Sequence, residues 1–264
     1  MLSTNRSAGE LLRDWRTRRR MSQLDLALEA GISSKHLSFV ETGRSAPSRD
    51  MILHLCESLS VPLRERNLVL IAGGYAPAYP GRSLDDPALA PAREAVEQVL
   101  AGHEPFPALA VDRHWTLVSA NAALLGWLDG VDPALLEPPV NVLRVSLHPH
   151  GMAPRIVNLA EWREHILVRL NDQIAATGDP VLQTLAEELD ALPVPMRGRD
   201  AARDTGHRDV FVPLQLETPQ GVLSFLSTTT VFGTPIDVTL SELAIEAFFP
   251  ADTATAAALR GAGD

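Results

Sequence analysis

Two adjoining stretches carry side chains suited to reading nucleic acid: Ser22-Gln-Leu-Asp-Leu-Ala-Leu-Glu-Ala-Gly-Ile-Ser33 and Leu37-Ser-Phe-Val-Glu-Thr-Gly-Arg44. Ala27, Gly31, Ile32, Leu37 and Val40 hold the small and apolar places that let two short helices cross at a steep angle. In that geometry the first helix lies across a phosphate backbone and the second enters the major groove. Basic residues flank the pair. The run Arg16-Thr-Arg-Arg-Arg20 reads either as a solvated helix end complementing the helix dipole or as phosphate contacts by Arg18 and Arg20. Arg44, Ser45 and Arg49, just after the second helix, fit backbone contacts.

Other chemistries find weaker support. His148-Pro-His150 with Glu161 and His165 offers metal-ligand types, but the spacing matches no zinc motif and reads better as a turn. Ser227-Thr-Thr-Thr230 lacks a nucleophile elbow and a paired base, and no glycine-rich loop is present to cradle phosphate. The single cysteine, Cys56, lies among Ile52, Leu53, Leu55 and Leu59 and reads as a buried structural thiol. No catalytic residue, metal or cofactor is expected.

The elements that position these residues follow from periodicity. Five short helices are predicted up to residue 73, with Ser22 and Ser33 as caps and Gly31, Gly43 and Gly73-Gly74 as stops. Residues 74–91, rich in turn signals, read as a linker. Beyond it come a helix near Pro91–Ala101 and a hairpin of Ala108-Leu-Ala-Val111 and Trp115-Thr-Leu-Val-Ser119. Next are a helix from Ala122, an amphipathic helix over about Asn158–Thr177, and a shorter one over Val181–Ala191. A second hairpin joins Val210–Thr218 to Val222–Thr230, and a final helix after Thr239 is expected to bury Leu240, Leu243, Ile245 and Phe248. Residues 193–208 read as a loop. The fold class is therefore multi-domain: an all-α five-helix domain over 1–73, then an α+β domain over 92–264 in the manner of a PAS domain.

Charge separates the same two parts. Residues 1–82 hold 12 of the chain's 23 basic residues and 8 of its 33 acidic ones, so the overall charge of −10 falls behind a cationic head. That is the pattern of a DNA reader on an acidic body. The N-terminus shows no apolar leader and no stretch is long enough to span a bilayer, so a cytoplasmic protein without a membrane partner is expected.

The order of residue types over residues 8–73 resembles the phage-repressor-like, Xre-type helix-turn-helix family. The resemblance implies that Gln23 contacts phosphate, that Ser34, Lys35, Ser38 and Phe39 face outward from a recognition helix capped at Ser33, and that Glu41 and Gly43 close the motif. Lys35 is then the long donor suited to guanine, and Ser34 and Ser38 pair with donors or acceptors. Phe39 has two readings, contact with a thymine methyl or inward packing. Trp115-Thr-Leu-Val-Ser-Ala-Asn121 and Asn158-Leu-Ala-Glu-Trp162 resemble the MmyB-like ligand-binding domain that follows such motifs in bacterial regulators. That resemblance implies a PAS-like domain with an apolar pocket for a fatty-acid-like or other apolar ligand.

Leu117, Trp127, Trp162, Ile166, Phe211, Phe225 and Phe232 serve equally as pocket lining or as core. Alternate residues of the threonine run share a face, so Thr228 with Thr230, or Ser227 with Thr229, would line a pocket. Arg155 reads as a carboxylate anchor or as a surface ion-pairing group. The whole reads as a homodimeric regulator of double-stranded operator DNA, in which a small-molecule effector alters the spacing of two recognition helices. An antitoxin-like or scaffold protein with a protein-binding C-terminal surface is the rival from another class; a fused enzyme is a second.

Overall fold

Serines start four of the first five helices. The Oγ atoms of Ser7, Ser22, Ser33 and Ser48 accept from the backbone N–H of Glu10, Asp25, His36 and Met51, three residues on. Ser7–Glu10 and Ser22–Asp25 are reciprocal capping boxes, each cap contributing about 1 kcal/mol. The helices so begun are α1 (Ala8–Arg18), α2 (Gln23–Glu29), α3 (Ser34–Glu41) and α4 (Arg49–Ser58), followed after Pro62 by α5 (Leu63–Ala72). Gly31 and Gly43 end α2 and α3 with φ of +63° and +73°, a backbone that residues with a side chain rarely adopt. Gly9 has another reason to lack a side chain, because a Cβ there would meet the Val40 carbonyl oxygen at 2.0 Å, where α1 crosses α3.

The computed structural model describes residues 6–193 and 211–261, which fall into two units. The first runs to Ser83 and takes in Ala175–Thr177 and Thr234–Ser241. Its core is built from Leu12, Trp15, Leu26, Leu37, Ile52, Leu55, Cys56 and Leu70. Part of the stretch read as linker folds back on α5: the Asn67 carboxamide accepts from the N–H groups of Ala78 and Tyr79, and the Tyr75 hydroxyl donates to the Pro47 carbonyl.

The second unit holds α6 (Ala90–Gly102), β1 (Ala108–Val111), β2 (Leu117–Ala120), α7 (Ala122–Leu125), α8 (Val142–Leu147), α9 (Leu159–Thr177, to Ile174 in this unit) and α10 (Pro180–Asp190). It continues with β3 (Leu214–Thr218) and β4 (Gly221–Val231), and after α11 (Val238–Ser241) of the first unit it closes with β5 (Ala244–Pro250) and α12 (Thr253–Gly261). The strands make one antiparallel sheet in the order β2-β1-β5-β4-β3. Alternation along β1 sends Ala108 and Ala110 to one face with Val96 and Leu100 of α6, and Leu109 and Val111 to the other with Trp162, Ile166 and Leu170 of α9. The fold is all-α followed by α+β.

Two expectations change. The final helix after Thr239 is a single turn, and Ile245 and Phe248 lie on β5, the strand between β1 and β4. Its residues alternate, Ile245 against α6 and Phe248 against α9, so the period is two where the apolar run was read with a helical period. The second hairpin begins at Leu214; Val210 and most of the loop expected over 193–208 lie outside the described residues.

Candidate functional site

On the recognition helix α3, Ser34 and Lys35 are exposed while Leu37 and Val40 are buried against the core. Phe39 lies half-buried with two cations over its ring: Lys35 Nζ is 5.8 Å and the Arg44 guanidinium carbon 5.9 Å from its ring centre. The ring thus gathers two of the expected DNA contacts onto one patch. Ser38 is half-buried, and the Ser33 hydroxyl is committed to its cap. Gln23 Nε2 donates to Glu41 Oε2 at 2.7 Å, which fixes the orientation of the carboxamide. Arg18 lies elsewhere, with its guanidinium carbon 5.2 Å from the Trp15 ring centre, and Arg49 stands at the start of α4 beside Asp50.

In the second unit the α9 side of the sheet carries a partly open cavity of about 90 Å³. Leu109, Leu117, Leu214 and Phe248 line it from the sheet; Val142, Leu143 and Val145 from α8; Trp127 and Met152 from the connecting segments; Trp162 and Ile166 from α9. Leu117, Trp127, Trp162 and Ile166 are thereby brought together around one space. Ser146, Arg169 and Glu246 are the lining residues that are not apolar.

The other residues singled out for the ligand lie off this lining. Phe225 is fully buried and meets Trp127 edge-on with ring centres 4.8 Å apart, a core contact behind the cavity wall. Arg155, read as a carboxylate anchor or a surface group, lies outside the lining, and its Nη1 donates to the carbonyls of Trp127 and Asp129, at 2.7 and 3.2 Å. Thr228 points to the opposite face of β4, because the register pairs its neighbour Thr229 with Glu246 on the cavity side. Phe211 precedes β3, half-buried, and Phe232 packs toward α6.

Arg169 was missed. It continues the inward stripe Trp162, Ile166, Arg169 of α9, a spacing visible in the sequence, but a cation on an apolar stripe reads there as a solvated edge. Its guanidinium lies 5.1 Å from the Trp115 ring centre and is ion-paired with Glu246. His148 and His150 sit edge to face with ring centres 5.4 Å apart, and among the described residues no group of three His, Cys, Asp or Glu side chains is placed to hold a metal ion. Nor is any described helix long and apolar enough to cross a membrane.

A helix-turn-helix unit joined to an α+β unit with an apolar cavity defines a DNA-binding regulator with a ligand-binding domain. The family model for the MmyB-like transcription regulator ligand binding domain matches residues 92–262, and one for a helix-turn-helix domain matches residues 7–69. The chain belongs to the MmyB-like transcription regulators. Both matched families are regulatory, DNA-binding or ligand-binding, and not enzymatic. No curated protein matches the chain.

Proposed function

We propose that this regulator binds a specific operator in double-stranded DNA as a homodimer and that a small apolar or fatty-acid-like molecule, taken into the α9-side cavity, controls its occupancy. The cavity carries the reading: its walls are mainly leucine, valine and tryptophan with Ser146, Arg169 and Glu246 as the few polar groups, the composition of a ligand pocket. At about 90 Å³ it is smaller than the roughly 150 Å³ apolar cavity that admits a benzene. A ligand of more than a few carbons therefore has to part the walls or extend out through the cavity mouth. Such a ligand binds one form of the domain better than another, and that difference is what shifts a conformational equilibrium. On the DNA side Lys35 reads a base while Gln23, Arg44, Arg49 and Arg18 hold phosphates.

Selection of duplexes from a randomised pool by the full chain is expected to enrich one motif as paired half-sites about 10 base pairs apart. Fluorescence anisotropy on that motif is then expected to change when the apolar molecule released from denatured protein is added back. Enrichment of no motif would sink the DNA half of the proposal, and an affinity indifferent to every apolar molecule tried would sink the sensing half.

A further inference from the structure

The polar end of the cavity carries opposite charges that cancel. Arg169 donates from Nη2 to Glu246 Oε1 at 2.7 Å and from Nη1 to Oε2 at 3.3 Å. Thr229, the register partner of Glu246, donates to the same Oε1 at 2.6 Å. The Glu246 side chain is 5% exposed and that of Arg169 28%, so the pair faces the cavity more than the solvent. His165, one turn before Arg169 and stacked on Trp162, is the third titratable group here. Burial first, then the Arg169 charge, hold its pKa below the ordinary imidazole value, so it adds no charge near neutrality.

We infer that the effector of this domain is uncharged, an apolar molecule whose polar end is an ester, carbonyl or hydroxyl oxygen and not a free carboxylate. The inference rests on the apolar-ligand reading above and narrows it. A carboxylate at this end meets Glu246 as a like charge in a medium of low polarity. If it takes Arg169 for itself, it strands Glu246 as a buried anion without its counter-ion, the costly way to break such a pair. A neutral oxygen meets neither penalty. The remaining polar lining residue, Ser146, accepts from Trp162 Nε1 at 3.1 Å, and its own O–H is a donor that a neutral oxygen can take up.

Titration calorimetry on the full chain at neutral pH, with 1-octanol, methyl octanoate and octanoate below their aggregation limits, tests the inference. The uncharged probes are expected to bind at least about ten-fold more tightly than octanoate. Because any apolar cavity favours an uncharged probe to some degree, the decisive figure is the change on substitution. Glu246→Gln keeps the shape and removes the cancelling charge; octanoate should then gain about ten-fold while 1-octanol moves less than about three-fold. Arg169→Gln is the reciprocal variant, in which Glu246 is left alone and octylamine should gain by a similar factor. Octanoate binding the native chain as tightly as octanol, or probe ratios unmoved in whichever variants fold, would overturn the inference. Binding of none of the three probes would overturn the apolar-ligand reading itself, and this proposal with it.

Discussion

Arg16 of α1 and Glu41 at the end of α3 form a two-pronged ion pair, Nε to Oε1 at 2.6 Å and Nη2 to Oε2 at 2.9 Å, with the Glu41 side chain 1% exposed. Arg16 Nη1 also donates to the Met21 carbonyl at 2.7 Å, and Gln23 adds its own bond to Glu41. One carboxylate thus ties α1 and the start of α2 to the end of the recognition helix. Removing a single partner from such a pair leaves the other buried and uncompensated. Glu41→Ala is expected to destabilise the helix-turn-helix unit by about 3 kcal/mol, read as a lower urea midpoint. Glu41→Gln should cost less, because the amide oxygen still accepts from Arg16. A midpoint unmoved by Glu41→Ala would show that the pair contributes nothing net.

Lys35 and Arg44 both lie over the Phe39 ring, so on the DNA-contact reading proposed above Phe39 would act through geometry more than through charge. Phe39→Ala is expected to weaken binding to the selected motif by up to about five- to thirty-fold, the ceiling set by the loss of two exposed cation–π contacts. The dependence of log affinity on log salt should stay the same, since no phosphate contact is removed. Arg44→Ala should instead lower that slope by about one, and Lys35→Ala should cost about 1–3 kcal/mol and relax the preference at one base. Anisotropy titrations over a range of salt separate these cases; a reduced slope for Phe39→Ala would contradict the division of roles.

The helix-turn-helix unit was legible because its signals are local. Ser22 and Ser33 cap their helices, Gly31 and Gly43 stop them, and the apolar spacing has one period throughout. The cavity was legible only in part. Trp162 and Ile166 lie on the stripe that α9 buries, but whether a buried tryptophan faces a neighbour or a space depends on side chains far along the chain. Thr228 against Thr229 is a question of strand parity, and only the pairing of β4 with β5 answers it. The run Leu243 to Phe248 is apolar enough for either period, and it becomes a strand because β1 and β4 supply hydrogen bonds on both sides. Arg155 and Arg169 are the same residue type with opposite fates, one spent on carbonyls and one paired in the cavity wall. Charge type alone does not separate them.

Cys56 is fully buried in the first unit, and that burial pushes its thiol up to about 12. The thiolate is the reactive species, so the native chain should react with a disulfide reagent at least about a hundred-fold more slowly than a free cysteine. Reaction should reach the free rate only in denaturant. Fast labelling of the native protein would instead mark Cys56 as reachable and contradict its reading as a buried structural thiol.

His165 gives the second unit a pH dependence whose sign is fixed by its surroundings. Burial, and after it the Arg169 charge, depress its pKa in the folded chain, while the unfolded chain keeps the ordinary value near 6.5. As pH falls through about 6.5 the unfolded chain takes up a proton that the folded chain refuses, so stability declines toward acid. His165→Phe preserves a ring stacked on Trp162, where the present centre-to-centre distance is 5.3 Å, and removes the titration. Thermal midpoints of both chains measured between about pH 8 and pH 5.5 should fall less steeply for the variant, the other titrating groups being common to the two. Parallel curves would show that His165 is protonated equally in the folded and unfolded chains, and that the polar end of the cavity gains a positive charge in mild acid.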